Sequence, residues 1–152
     1  MVGGVIVIGK YCNLKFLNVY MEDSNNELFV GDYVSVNAFK RHEVRLHIVE
    51  GSKIQIGNNC LFSNSIQMHT SDFHSILDYS DNRINHAMPI ILNNNVWIGF
   101  GSTILKGVSI GSNSVVGANS NVPRGSYSDN SIIGGNPAKI IKTNIQWKKE
   151  RV

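Results

Sequence analysis

The sequence predicts an all-β solenoid, a parallel β-helix built from three-sided coils, and three observations predict it. From Leu92 to Val122 every sixth residue is aliphatic: Leu92, Ile98, Ile104, Ile110, Val116 and Val122. A period of six fits neither an amphipathic helix nor an isolated strand, so it marks a repeat architecture. Four residues after each of the first five aliphatics stands a small or β-branched residue: Val96, Ser102, Val108, Ser114 and Ser120. The composition agrees, because 14 glycines and a charged fraction of 16% suit short strands and tight corners better than a helical bundle.

Each hexad reads as one short strand and one corner. The aliphatic and the small residue point inward, and a glycine or asparagine supplies the corner, where φ is free to be positive. Coils then stack at about 4.8 Å to pair their backbones, and stability comes from stacking. The N-terminal part follows the same template less regularly. Ile8-Gly9 leads to Cys12 and Leu14, Val30-Gly31 to Val34 and Val36, and Ile56-Gly57 to Cys60, Phe62, Ile66 and Met68. The two cysteines fall in the small inward slot and read as buried hydrophobes, not as a disulfide framework.

Three interruptions follow in order. Residues 20–29 read as a polar excursion. Phe39 to Val49 reads as a coil of irregular length, with alternating Val44, Leu46 and Ile48. The third is an insert at about residues 69–89, polar and aromatic, holding His69, Asp72, His74, Asp78, Asp81, Arg83 and His86. Functional residues concentrate on loops held by rigid elements, so this insert is the first place to look for chemistry. The hexads end at Pro123-Arg124-Gly125 and resume at Ile132 to Gly135. A cap over about 123–152 closes the chain with a short helix near Ile145 to Glu150 or an irregular tail. Residues 1–152 are read as a single domain.

The net charge of +3 and the lack of any long basic run exclude a nucleic-acid footprint. The basic stretch of Lys139, Lys142, Lys148, Lys149 and Arg151 reads as a solvated terminal face or as an attraction for an anionic cofactor. No window approaches 18 apolar residues, and Val2 to Ile8 is too short for a signal peptide core, so no direct membrane insertion and a cytoplasmic location are expected.

Ile98-Gly99 through Val122, followed by Gly135-Asn136-Pro137-Ala138-Lys139, resembles the bacterial hexapeptide-repeat acyltransferases. The stretch Ser71-Asp72-Phe73-His74-Ser75-Ile76, with Val96-Trp97-Ile98-Gly99 after the insert, resembles the branch that O-acetylates sugars of capsules, lipopolysaccharides and other surface glycans. The resemblance implies a left-handed parallel β-helix, against the usual right-handed crossover rule. It also implies transfer of an acetyl group from acetyl-coenzyme A to a sugar hydroxyl, in homotrimers with active sites between subunits. His74 is then the general base, since imidazole titrates near neutrality. Asp72 orients it or binds the acceptor, and Trp97 lies beside it across a subunit boundary. Alternation turns Trp97 outward. For coenzyme A the matched positions are Gly99, Gly117 and Ala118 along the pantetheine arm. Lys106, Arg124 and Lys139 are the candidates for its phosphates. Many relatives carry a basic residue after Val-Trp-Ile-Gly; Phe100 stands here and removes one such contact.

His74 also lies six residues after Met68, a nominally inward position. Two other readings stay open on the same scaffold. His69 and His74 have the five-residue spacing of a zinc-dependent carbonic anhydrase-like site, although a third histidine in a matching motif is missing and no metal is expected. A non-catalytic assembly module would leave Asp72, His74 and Trp97 unexplained. The acceptor, and O- against N-acetylation, have no readable code.

Overall fold

The computed structural model describes residues 3–152, so Val2 of the apolar N-terminal stretch lies outside the described residues. The chain winds through five coils of three strands and a partial sixth. The first holds β1 (Gly4–Ile8), β2 (Asn13–Lys15) and β3 (Leu17–Met21). The second holds β4 (Asn26–Val30), β5 (Ser35–Asn37) and β6 (Val44–Ile48). The third holds β7 (Lys53–Ile56), β8 (Leu61–Phe62) and β9 (Gln67–His69). The fourth holds β10 (Ile90–Leu92), β11 (Trp97–Ile98) and β12 (Thr103–Ile104). The fifth holds β13 (Val108–Ile110), β14 (Val115–Val116) and β15 (Asn121–Val122). The last holds β16 (Gly125–Tyr127), β17 (Ile132–Gly135) and β18 (Ala138–Lys142). Strands three apart in sequence pair in parallel, which makes three faces: A from β1 to β16, B from β2 to β17, and C from β3 to β15. β18 folds back antiparallel on β17. The prism is a left-handed parallel β-helix.

The hexad is the cause of the prism. None of the six aliphatics from Leu92 to Val122 is more than 1% exposed, and none of the five small residues from Val96 to Ser120 more than 2%. Burial of each aliphatic contributes about 1.5–3 kcal/mol. The buried serine hydroxyls are satisfied at the corners: Ser102 Oγ donates to Gly117 O at 3.0 Å and Ser120 Oγ to the same oxygen at 2.7 Å. Cys60 takes the same slot, fully buried, with Sγ 3.2 Å from Asn93 O; burial pushes its thiol up to about 11.

Positive φ falls on the fourth residue of each hexad, asparagine or glycine: Asn95 (55°), Gly101 (70°), Gly107 (75°), Asn113 (60°) and Asn119 (54°). The glycine after the aliphatic serves close approach instead. A Cβ on Gly99 would sit 2.6 Å from Val116 O, and one on Gly57 2.6 Å from Asn93 O. The next coil leaves no room for a side chain there.

The interruptions also sharpen. The excursion at 20–29 shrinks to the corner between β3 and β4, because both strands extend into it. Residues 38–43 form the lengthened corner of the irregular coil, and Val44, Leu46 and Ile48 are buried as alternation requires. The hexads do not stop at Gly125, since β16 continues face A by pairing with β13. No helix forms among the described residues, so residues 145–150 are irregular tail. That tail crosses back over the prism, with Trp147 Nε1 donating to Asn95 O at 2.8 Å and Lys149 Nζ to Ser35 Oγ at 3.2 Å. No helix is long and apolar enough to cross a membrane among the described residues.

Candidate active site

The insert leaves the prism after β9 and rejoins it at β10, at the corner between faces C and A. His74 is exposed on it. The inward position that six-residue counting assigns to it does not exist, because the chain has left the coil before reaching it. Local contacts hold the turn that carries His74. Phe73 has φ 64°, an unusual conformation for a bulky residue. Its N–H donates to Ser71 Oγ at 3.0 Å, and its ring stands edge-on to His47 and His69 at 5.8 and 5.9 Å. The His74 N–H donates to Asp72 O at 2.8 Å.

A polar latch holds the insert to the prism. Asp72 Oδ2 accepts from Lys106 Nζ at 2.6 Å and from Asn85 Nδ2 at 2.9 Å. The Lys106 bond is the main reason the Asp72 carboxyl is held below the usual range, helped by Asn85. Glu50 Oε1, in the corner before β7, accepts from Arg83 Nη2 at 2.8 Å and from Ser71 Oγ at 2.6 Å. These two bonds, Arg83 first, lower Glu50 to about 2. Asp72 therefore ties the loop to Lys106, and no hydrogen bond joins its carboxylate to the His74 ring. Lys106 is engaged in the same latch and also donates to Asn85 O at 2.9 Å. Asn85 and Glu50 are not legible in the sequence as site residues, being polar groups in or beside a polar loop with no motif around them, and Ser71 stands in the matched stretch without a role of its own there.

The other predicted residues divide between two corners. Arg124 is exposed on the C–A corner, near the insert, with its stem against Gly107. Gly99, Gly117 and Ala118 stack on the corner between faces B and C. Ala118 is exposed, and at Gly117 a Cβ would make only ordinary contact, 3.6 Å from Ile133 O. Lys139 is exposed on β18, opposite Gly134 of β17. Phe100, 44% exposed, borders the same corner. Trp97 faces outward from face B, 37% exposed. Its Nε1 donates to Ser63 Oγ at 3.3 Å, and its ring lies 5.8 Å from that of Trp147. Within one chain Trp97 and His74 thus stand on different sides of the prism.

His69 belongs to a ladder on face C. It stacks on His47 at 4.8 Å, and His47 on Tyr20 at 4.7 Å. Burial is the main cause that lowers both imidazoles, with Arg45 acting on His47 and His47 on His69. Among the described residues no three His, Cys, Asp or Glu side chains gather as a metal site would need.

Comparison with known proteins places this geometry. Residues 89–124 match the family model described as bacterial transferase hexapeptide (six repeats). The chain is 32% identical to a polysialic acid O-acetyltransferase of Neisseria meningitidis, over 95% of its own length and 75% of the relative's. It belongs to the hexapeptide-repeat acyltransferases. Within this family it is also 33% identical to a galactoside O-acetyltransferase of Escherichia coli K12, over 64% of this chain and 47% of that one. The crystal structure of the polysialic acid O-acetyltransferase OatWY superposes with a TM-score of 0.79 at 30% identity, covering 98% of this chain and 79% of that one. A Vibrio cholerae hexapeptide-repeat acetyltransferase complexed with acetyl coenzyme A is similar at TM-score 0.52 and 26% identity, over 92% of this chain and 69% of that one. The chain spans 58% of a Saccharomyces cerevisiae relative to which it is 33% identical.

Proposed function

We propose that this chain is an acetyl-coenzyme A-dependent O-acetyltransferase for a sugar hydroxyl of a surface glycan or its precursor. The observation that carries the reading is His74, exposed on a latched loop in a chain that is related along 95% of its length to a polysialic acid O-acetyltransferase. The proposed unit is a cytoplasmic homotrimer of single-domain chains. In it, His74 of one subunit works beside Trp97 of the next, which agrees with the separation of the two residues within one chain.

The small residues of the B–C corner fit an extended thioester arm. Ala118 and Gly117 leave the backbone open there, and exposed Phe100 adds an apolar wall. Lys139, at the end of the same ridge, is the cation for the phosphates, and Arg124 on the other corner reaches them from the neighbour. Lys106 is assigned to the latch rather than to a phosphate. Its ammonium, with Asp72, fixes the loop that carries the base.

Transfer is direct, in a complex holding both substrates. The acceptor oxygen attacks the thioester carbonyl as the His74 imidazole takes the hydroxyl proton. The C–O bond forms and the C–S bond breaks. The proton then passes from the imidazolium to the coenzyme A thiolate, so the base is regenerated and no acyl-enzyme forms. A panel of sugar acceptors incubated with acetyl-coenzyme A, read by free thiol release and by mass spectrometry of the sugar, tests the reading. An acceptor-dependent thiol signal matched by an acetylated sugar is expected. Acetyl-coenzyme A that stays unbound by the protein would contradict it.

A further inference from the structure

The geometry points to Asn85 as the positioning residue for the base of this reaction. The inference rests on the proposed role of His74. It starts from how little else holds that residue: it is exposed, and two hydrogen bonds at its backbone fix the main chain from which the ring projects. One is the short turn bond from its own N–H to Asp72 O. The other arrives from eleven residues away, where Asn85 Nδ2 donates to His74 O at 2.8 Å.

The rest of the Asn85 amide is fully used, and every bond bears on the same turn. Nδ2 also donates to Asp72 Oδ2 at 2.9 Å, on the N-terminal side of His74. Oδ1 accepts from the Ile76 N–H at 2.8 Å, on its C-terminal side, and from Arg83 Nε at 3.2 Å. The Asn85 carbonyl accepts from Lys106 Nζ, so the residue is tied to the prism as well. Asn85 is 8% exposed in a loop that is otherwise mostly open to solvent. A buried amide that donates on one side of a residue and accepts on the other is a two-point clamp. In the amide the donating NH₂ and the accepting oxygen are separate atoms held in one plane, so both sides are engaged at once. Arg83 at Oδ1 orients the amide, because a flipped amide would turn its NH₂ toward a cation and toward the Ile76 N–H.

Proper placement of a base carries much of its effect, and a shift of about 1 Å can cost about 10²-fold. Asn85→Asp keeps the shape and the acceptor but removes the donor, and it sets a carboxylate against Asp72 and the His74 carbonyl. Asn85→Ser removes the reach without adding charge, and is used if the aspartate variant does not fold. Either is expected to lower kcat by about 10²-fold while KM for acetyl-coenzyme A, bound on the other corner, stays within about twofold.

The deciding readout is the same substitution made in a His74→Ala background. If Asn85 acts through His74, its loss there adds nothing to the residual rate. An equal fall in both backgrounds, or a wild-type kcat in the single variants, overturns the assignment. A His74→Ala single variant that runs at the wild-type rate is a separate result: it brings down the role of the base itself.

Discussion

At the scale of single residues, the prism assigns the same slot to chemically different side chains. Cys60 and Ser102 both fill the small inward position, and each gives its one proton to a corner carbonyl. The slot selects volume, since Val96 and Val108 fill it with no donor at all, which explains why neither cysteine needs a redox or catalytic role. Burial and a thiol raised to about 11 make Cys60 a poor nucleophile, whereas Cys12 is only half-buried. Iodoacetamide is therefore expected to label Cys12 well ahead of Cys60 in the folded protein, with Cys60 labelled only after unfolding. Equal labelling rates by peptide mapping would contradict the burial. The repeat makes these slots legible in the sequence, since Val96, Ser102, Val108, Ser114 and Ser120 all follow from spacing alone. It does not make Asn85 legible, because a clamp across eleven residues of irregular loop has no period.

At the scale of elements, the insert behaves as a rigid attachment. Glu50 and Asp72 each receive two bonds, and these tie both ends of the loop to the prism through Ser71, Arg83, Lys106 and Asn85. Glu50 is lowered in the folded protein, so its contribution is complete above the ordinary glutamate range. It is lost as pH falls from that range toward about 2, where the folded carboxylate takes up its proton. The amides of Phe73 and Ile76 are accordingly expected to stay protected from exchange at about pH 4 and to lose protection toward about pH 2. Glu50→Gln should remove protection at both amides already at neutral pH, with the amides of β10 to β15 unchanged. Protection of Phe73 and Ile76 that ignores both the substitution and the pH would show that Glu50 does not hold the loop. The sequence marks the insert by the failure of its hexads after Met68, yet the ionic partners of the latch sit as far apart as Glu50 and Lys106. Only the winding of the coils brings them together. The same holds for Trp147, whose place beside Trp97 depends on a tail that has no helical or hexad pattern.

At the scale of the whole molecule, the prism separates the two residues that the proposed chemistry brings together. Trp97 faces out from face B and His74 leaves from the C–A corner, so the proposed site draws on two copies of the chain. Sequence resemblance carries that expectation, and the winding of one chain gives its physical reason. The most direct measurement is subunit complementation between His74→Ala and Trp97→Ala chains. Each variant alone is expected to lose about 10²-fold or more in acetyl transfer. In a cyclic trimer mixed at equal amounts, each mixed ring regains one intact pairing, so about a quarter of the wild-type rate should return. Recovery to that level supports a shared site with His74 as its base. Mixed trimers verified by differential tags that stay as slow as either parent would contradict it.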